Sequence, residues 1–240
     1  MSKSQTVSIK DLTEDQIQKA FEKTLNQFEP IPGIRLVRIT EEYYEKAVNL
    51  CRDHFLPNEP LSKSVGLTWN EIIEAYWLEA LQLNLSIMLV DESTDEAVGF
   101  RTIRYALKDD KLEFGVELPE ELQILLDFTE YCDKQADFFD HFGVTETFHF
   151  LSLVVSPKYQ RRGFASKIVH AAMELVKNLG IDNVCIKGEG SSNFSKKIYD
   201  KEGFDVLYEH MYDEWEVDGE KPFLNTGEHK SVKVYGKRIR

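Results

Sequence analysis

Apolar side chains recur at helical spacing along much of the chain, and this period predicts most of its helices. Residues 13–28 open with TEDQ, a capping-box pattern, and continue with apolar residues three or four positions apart. In a second predicted helix, which starts at Thr68, the buried stripe should be Ile72, Tyr76 and Leu83. The same spacing predicts helices over 40–54, 164–179 and 191–201, and a mostly helical segment over 112–145.

Short runs rich in β-branched and aromatic residues alternate with these helices. They predict strands over 34–39, 86–91, 97–107, 148–156, 183–186, 204–211 and 231–235. The acidic segment DESTDE joins the second and third strands, which should pair as a hairpin. FLPNEPLSKSVGL (55–67) is predicted to be a loop, because two prolines and a glycine interrupt regular structure. The order of elements favours an α/β (α+β) fold around a mixed sheet flanked by helices.

Length, charge and cysteine content narrow the classes of protein. The 240 residues are enough for one domain, and a net charge of −13 argues against a nucleic-acid or anionic-membrane partner. Three widely spaced cysteines without metal-ligand spacing predict free thiols, no metal site and a reducing compartment. The first residues contain no apolar signal core, so we expect a cytoplasmic protein. We also expect a monomer.

The segment with the clearest chemistry lies between a predicted strand and a predicted helix. Its residues are Gln160-Arg161-Arg162-Gly163-Phe164-Ala165. The first N–H groups of a helix lack partners and carry partial positive charge, so this position favours an anion. Gly163 allows phosphate oxygens close to the backbone, and the two arginines add charge-assisted contacts. The segment matches neither a Walker loop nor a GxGxxG turn, so those two kinds of phosphate site are excluded and we expect another kind.

VVSPKYQRRGFASKIV (154–169) resembles the acetyl-CoA motif of the GNAT acetyltransferases, Q/R-x-x-G-x-G/A after a strand. Gln160, Gly163 and Ala165 match that motif position by position. The resemblance implies a GNAT fold, with a mostly antiparallel sheet splayed at the acetyl-CoA site. It implies that acetyl-CoA is the cosubstrate and that pantetheine pairs with Leu153, Val154 and Val155. The pyrophosphate would be held by Gln160, Arg161, Arg162, Gly163, Phe164, Ala165 and Ser166.

A second match, SSNFSKKIYDKEGF (191–204), resembles the helix pattern N-x-x-A-x-x-x-Y-x-x-x-G-F of the same family. Tyr199 matches the tyrosine of that pattern. Ser192 and Ser195 stand where the family has Asn and Ala, which puts the usual Asn contact to CoA in doubt. Core packing alone would also explain the tyrosine.

The serine-rich form of this helix and the E-P-L segment of 55–67 resemble the invertebrate arylalkylamine N-acetyltransferases. That likeness, which runs from about Ile34 to Arg240, implies Glu59 as general base for direct attack of the amine on the thioester. The oxyanion would be held by an N–H near Val154 or Val155. The CoA thiolate would be protonated by Tyr199 or, following the arylalkylamine group, by Ser191 or Ser195.

Several alternatives remain open at this point. The acceptor can instead be a polyamine, an aminoglycoside or a protein N-terminus, and the chain can be a CoA-binding module without catalysis. Aromatic residues at Phe55, Trp69, Tyr76 and Phe142 are candidates for an arylalkyl pocket or for core packing. His149 is either a proton relay or a structural residue.

The expected organisation is an N-terminal extension with a short helix over 1–30 and an acetyltransferase domain over 31–240, with its helical insertion at about 112–145.

Overall fold

The computed structural model describes residues 8–110 and 114–239. Its helices are α1 (Glu14–Gln27), α2 (Glu41–Leu50), α3 (Pro60–Val65), α4 (Glu71–Gln82), α5 (Glu120–Ala136), α6 (Phe138–Phe142), α7 (Phe164–Asn178) and α8 (Asn193–Lys201). Its strands are β1 (Ile34–Arg38), β2 (Ile87–Asp91), β3 (Ala97–Leu107), β4 (Glu146–Val155), β5 (Cys185–Gly190), β6 (Asp205–Met211) and β7 (Ser231–Arg238). The predicted insertion contains α5 and α6, and its residues 112 and 113 lie outside the described residues.

The strands form one seven-stranded sheet in the order β1-β2-β3-β4-β5-β7-β6. Only the β4–β5 pair is parallel; the other neighbours are antiparallel. The predicted α/β fold with a mixed, mostly antiparallel sheet is therefore confirmed, as is the hairpin of β2 and β3.

The β4–β5 pair is short, and the two strands separate where it ends. Its last paired residues are Phe150 and Gly188, yet β4 continues to Val155 and β5 to Gly190. On the β3 side, the register shifts between Arg101 and Ile103, where β4 carries one residue more than β3. Bulges of this kind bend a strand. We call the gap beyond Phe150 and Gly188 the fork.

Helices cover both faces of the sheet. α1 and α7 pack on one face, which we call the α7 face, over a core that contains Phe148, Phe150 and Ile186. α2 and α4 pack on the opposite face, the α4 face, over Met88 and Phe100. On that face, α3 and α5 share a third cluster with β7 and the loop that precedes it. Among the described helices, none has the length and apolar character needed to cross a membrane.

The prediction that 55–67 is a loop was wrong, because α3 lies inside it. Pro60 occupies the first turn of this helix, where a proline removes no needed hydrogen bond. Gly66 ends it in the left-handed conformation, with φ 73°. The same proline and glycine that suggested a loop are therefore the two ends of a short helix.

The predicted start and stripe of α4 were also wrong. Asn70, not Thr68, caps the helix, with its side chain accepting from Ile73 N at 3.0 Å. The buried side chains include Ile73 and Trp77, one position beyond the predicted Ile72 and Tyr76. Because this helix is apolar on more than one side, periodicity alone does not fix which side is buried.

Candidate active site

The strand–loop–helix passage at the end of β4 leaves the N-terminus of α7 open. After a 3-10 turn over Pro157–Tyr159, Arg161 and Gly163 adopt positive φ angles of 63° and 78°. The first backbone bond of α7 runs from Lys167 N to Gly163 O at 3.2 Å, and no side chain caps the helix. The N–H groups of the first turn are therefore available at the positive end of the helix dipole. This geometry suits the pyrophosphate that the sequence predicts there.

Two further residues of the passage define its shape. The Gln160 side chain donates to Val155 O at 3.0 Å, which holds the loop against the end of β4. The Arg162 guanidinium lies 5.6 Å from the centre of the Tyr159 ring. Arg161 and Arg162 are exposed, and neither forms an ion pair within the described residues. Both are therefore free to contact an anion in the loop.

Two concave regions flank this loop. One, of about 350 Å³, lies between α1 and α7 and includes Ser166 and Lys167. The other, of about 440 Å³, includes Tyr159, Arg162 and Phe164. Neither reaches Glu59 or the fork, so they border only the anion-binding end of the site.

The backbone of β4 presents hydrogen-bonding groups to the fork. Ser156 N donates to Val98 O of β3 at 2.9 Å. Because successive residues of a strand direct their N–H groups to opposite sides, Val155 and Leu153 face the fork and Val154 faces β3. The predicted pairing edge at Leu153 and Val155 is thus open, whereas the backbone of Val154 points away from it. Of the two candidate oxyanion donors, Val155 is the one on the correct side.

Tyr199 lies at the base of the fork. It is 2% exposed, and a side chain at Gly188 would overlap its hydroxyl, so the glycine permits this close approach. Arg101 of β3 donates to that hydroxyl and, at 2.9 Å, to Phe150 O. Burial raises the pKa of Tyr199, while the charge and the hydrogen bond of Arg101 act to lower it. Neither Arg101 nor Gly188 carries a sequence signal by which it could have been found.

Glu59 is half-buried and caps α3. Its carboxylate accepts from Ser62 N and Ser62 Oγ, both at 2.7 Å, and from Leu61 N at 3.2 Å. These three bonds fix the orientation of the carboxylate. Glu59 therefore has a structural role as the cap of α3, and that role alone is a sufficient reason for an acidic residue at this position.

Leu61, two residues after Glu59, packs in the same cluster as Tyr212, which contacts Ser191 before the α8 capping box. Tyr212 donates to Ser191 O at 2.6 Å, and burial together with the charge of Glu59 raises the pKa of Tyr212. His229 Nδ1 accepts from Asn193 N at 3.1 Å. Burial lowers the pKa of His229, and Glu59 counteracts that shift. Glu59 thus acts electrostatically on residues that contact the start of α8.

Ser192 and Ser195 form the capping box of α8. Ser195 N donates to Ser192 Oγ at 3.1 Å, and Ser192 N donates to Ser195 Oγ at 3.3 Å. The Ser195 hydroxyl also donates to Ser192 O at 3.0 Å. Both hydroxyls therefore have local partners. Ser191 precedes the box and is half-buried.

Three of the four aromatic residues proposed as pocket walls lie near Trp77 on the α4 face, and Phe142 lies apart from them. Phe55 packs edge-on against Trp77, and Trp69 Nε1 donates to Glu74 at 3.0 Å. Tyr76 lies beneath the Arg104 guanidinium. Phe142 packs instead against β7, where a side chain at Gly236 would overlap its ring.

A larger aromatic cluster, unnoticed in the sequence, lies next to α3 on the α4 face. Phe128 stacks obliquely on Phe223 at 4.8 Å and meets Trp215 edge-on at 5.2 Å. Tyr131 lies 5.1 Å from Trp215. Leu61, two residues after Glu59, packs into the same cluster. Phe128 and Phe223 are buried, whereas Tyr131 and Trp215 are half-buried and present part of their aromatic surface near the candidate base.

A buried charge network occupies the α4 face near the fork. Lys187 Nζ lies 2.6 Å from Asp133 Oδ2 and 3.2 Å from Glu189 Oε1, and Glu189 Oε2 lies 2.7 Å from His149 Nε2. Burial opposes ionisation of Glu189, but the charges of His149 and Lys187 outweigh it and lower the pKa. Burial likewise opposes the charge of Lys187, yet Glu189 and Asp133 raise its pKa. Burial raises the pKa of Asp133.

This network predicts a pH-dependent loss of stability in Glu189→Gln. Leaving Lys187 with one carboxylate should lower the free energy of unfolding at pH 7 by about 3 kcal/mol. Since the folded pKa of Glu189 is depressed, its contribution is present above an unfolded pKa of about 4.3 and is lost as the pH falls through the folded pKa. Urea unfolding of both proteins at pH 7 and pH 3 measures this.

The matched control is Asp15→Asn, which removes an exposed ion pair of 2.7 Å with Lys19. It should change stability little at either pH. A Glu189→Gln loss that is equal at both pH values would assign the effect to packing and contradict the electrostatic account.

Among the described residues, no group of three or more His, Cys, Asp or Glu side chains is placed to hold a metal ion. The three cysteines are buried and unpaired.

Solved structures with similar folds include several N-acetyltransferases. Arylalkylamine N-acetyltransferase 2 from Aedes aegypti matches with a TM-score of 0.80 at 23% identity, covering 86% of this chain and 99% of that one. Putative arylalkylamine N-acetyltransferase 7 from the same mosquito matches with a TM-score of 0.76 at 24% identity, over 86% and 88%. Polyamine N-acetyltransferase from Drosophila melanogaster matches with a TM-score of 0.71 at 13% identity, over 86% and 100%. At these identities the likeness establishes the fold.

The family itself is established by sequence. The model of the Acetyltransferase (GNAT) family matches residues 52–204, which is more than half of the chain. The matched range contains the candidate base, the fork, the anion loop and the tyrosine of α8. With its splayed mixed sheet and its open helix terminus after β4, this chain belongs to the GNAT family of acetyltransferases.

Proposed function

We propose that this enzyme transfers the acetyl group of acetyl-CoA to the primary amine of a small arylalkylamine of the dopamine, serotonin or tryptamine type. The observation that carries the proposal is that α3, which Glu59 caps, packs in one aromatic-rich cluster with Tyr212, which donates to Ser191 O beside the fork. The sequence likeness to invertebrate arylalkylamine N-acetyltransferases in the E-P-L segment and around Ser191 supports the same acceptor.

Acetyl-CoA would lie along the open edge of β4 and end on α7. The backbone groups of Leu153 and Val155, which face the fork, would pair with the pantetheine amides. The N–H groups from Arg161 to Ser166 and the two exposed arginines suit the pyrophosphate. Ser192, at the N-cap of α8, stands where the family contact to CoA is expected.

The proposed reaction proceeds by direct attack. The acceptor ammonium first loses a proton to Glu59, through water or directly, and the free amine forms a C–N bond with the thioester carbonyl. Val155 N–H faces the fork and would hold the oxyanion that develops there. The C–S bond then breaks as the attacking nitrogen gives its second proton to water, and the thiolate takes a proton from Tyr199 at the base of the fork, which solvent later replaces. Ser191 is the alternative donor; Ser195 is a weaker one, because its hydroxyl is engaged in the capping box.

Two half-buried aromatic side chains on the acceptor side would contact an aromatic ring. Tyr131 and Trp215 lie 5.1 Å apart and pack over the buried cluster that also contains Leu61, two residues after Glu59. Aromatic walls suit an aromatic guest.

We also propose that the enzyme works as a cytoplasmic monomer without a metal. The three unpaired cysteines support a reducing compartment.

A second acceptor class, the polyamines, is favoured by one observation. In the charge network, Asp133 Oδ1 and Glu189 Oε1 are buried and have no hydrogen-bond partner within the described residues. Glu189 Oε1 lies near Lys187 Nζ without hydrogen-bond geometry. A second cationic group on the acceptor would satisfy such oxygens.

Release of CoA thiol from acetyl-CoA, measured against a panel of amines, tests the proposal. Saturable turnover with tryptamine, dopamine or serotonin, at kcat/KM at least about tenfold above that for spermidine, agmatine and an N-terminal peptide, is the expected result. A preference for spermidine or agmatine would replace the arylalkyl acceptor with the polyamine. Tight binding of acetyl-CoA with no turnover on any amine would indicate the non-catalytic CoA-binding module.

A further inference from the structure

Arg101 is a buried cation without a counter-ion in the part of the chain that the structure describes. It is 2% exposed, and no carboxylate of the described residues lies within ion-pair distance of it. Its Nε is buried without a hydrogen-bond partner. A buried charge left unpaired costs several kcal/mol, so buried arginines are normally matched by a carboxylate. Some other interaction must therefore offset the free-energy cost of burying the Arg101 charge.

The protein surrounds this cation with aromatic faces and two acceptors. The centre of the guanidinium lies 4.7 Å from the Phe150 ring and 5.4 Å from the Tyr199 ring. Its NH2 group donates to Phe150 O at 2.9 Å and to the Tyr199 hydroxyl. Because the arginine is the donor to that hydroxyl, the tyrosine proton is not used in this bond. That proton is therefore available to another acceptor.

The fork is where negative charge would appear during the proposed reaction. As the C–S bond breaks, the electron pair goes to sulfur, and a proton from Tyr199 leaves a phenolate until solvent restores it. A cation that already donates to this oxygen stabilises the phenolate. It thereby favours transfer of the proton to the thiolate.

We propose that Arg101 is a positioning residue for the final step. It fixes the Tyr199 hydroxyl at the base of the fork and supplies the missing counter-charge when that hydroxyl gives its proton to the leaving CoA thiolate. The inference rests on the proposed function for the acidic role of Tyr199, and it adds a residue that no motif of the chain marks.

The other groups that face Tyr199 cannot replace Arg101. Glu189 of β5 is an anion, and its charge raises the pKa of Tyr199. Tyr235 of β7 stacks on the ring at 4.7 Å, but its own hydroxyl donates to Asp200 at 2.9 Å. Arg101 is thus the one cation among these neighbours that acts on the Tyr199 oxygen.

The first test is titration of the phenol itself in the full chain. 3,5-Difluorotyrosine incorporated at position 199 has a lower phenol pKa, which brings ionisation into a range where the protein stays folded, and 19F NMR follows it. In Arg101→Met the pKa should rise by about 1–2 units, and Arg101→Lys should restore much of the shift. The matched control is Arg104→Met on the same strand, whose guanidinium lies over Tyr76 and should leave the titration unchanged.

The second test is a double-mutant cycle in kcat at saturating acetyl-CoA. Arg101→Met alone should lower kcat by about 10–100-fold. In a Tyr199→Phe background it should lower kcat no further, since it acts through the hydroxyl. Two results would overturn the inference and leave Arg101 a packing residue. One is a double variant whose loss of kcat is the product of the two single losses, and the other is a Tyr199 pKa that does not change in Arg101→Met. The titration needs no acceptor, so failure of the arylalkylamine assignment would not be confused with failure of this role.

Discussion

Gly163→Asp is expected to raise the KM for acetyl-CoA by about 100-fold or more without unfolding the protein. Gly163 has φ +78°, and a side chain there would meet nothing within 4 Å, so the new residue fits. Aspartate tolerates left-handed backbone and is favourable at a helix N-terminus. Its carboxylate would stand where the pyrophosphate binds, and repulsion of a few kcal/mol between anions at about 4 Å accounts for the loss. Steady-state kinetics and thermal unfolding measure the two effects.

Two controls separate charge from backbone strain. Gly163→Asn has the same shape without the charge and should raise the KM far less. Gly180→Asp makes the same change at the other end of α7, where φ is +70° and a side chain would also meet nothing within 4 Å. It should lower stability slightly, because a negative charge opposes the helix dipole there, with an unchanged KM. An unaltered KM in Gly163→Asp would show that the phosphates bind elsewhere.

Glu59→Ser is expected to lower kcat/KM at neutral pH by about 100- to 1,000-fold while leaving the stability of the protein nearly unchanged. Removing a general base has an effect of this size. Serine is itself a good N-cap, so the helix that Glu59 now caps should keep its first turn. The variant therefore removes the proposed chemistry and retains the structural role. Thiol-release kinetics and urea unfolding measure both.

Asn70→Ala is the opposite control, because it removes the cap of α4 and no proposed catalytic group. It should lower the free energy of unfolding by about 1 kcal/mol and leave kcat/KM nearly unchanged. If Glu59→Ser keeps full activity, Glu59 is only a cap, and the base must be sought among the other residues near Ser191.

The sequence predicts well those features that depend on neighbouring residues. The capping box of α1, with Gln16 N donating to Thr13 Oγ1 at 3.3 Å, and the strand–loop–helix passage at Gly163 are confirmed as local structure. The helix at Pro60 was missed because the same residues serve as loop breakers and as helix ends. The Ile72 stripe was wrong because burial of an apolar helix is decided by its tertiary partners.

The fork depends on contacts between residues that are far apart in the sequence, and local sequence patterns do not predict such contacts. The contact of Arg101 with Tyr199 joins residues 98 positions apart in the sequence, and the space for it depends on Gly188 of a third element. An arginine within a strand looks like an exposed residue until the strand's neighbours are known. The aromatic cluster of Phe128 and Trp215 was missed for the same reason.

The bridge between α3 and the loop before β7 has an evolutionary consequence. Ser64 Oγ donates to Pro222 O at 2.8 Å and accepts from Asn225 N at 3.0 Å, so two remote segments meet on the side proposed for the acceptor. In contrast, the residues proposed for pantetheine and pyrophosphate lie in one continuous passage from Leu153 to Ser166, with Ser192 as the proposed contact from outside it. Substrate preference can therefore diversify among descendants through insertions and exchanges in the two remote segments, while the cofactor passage is inherited intact.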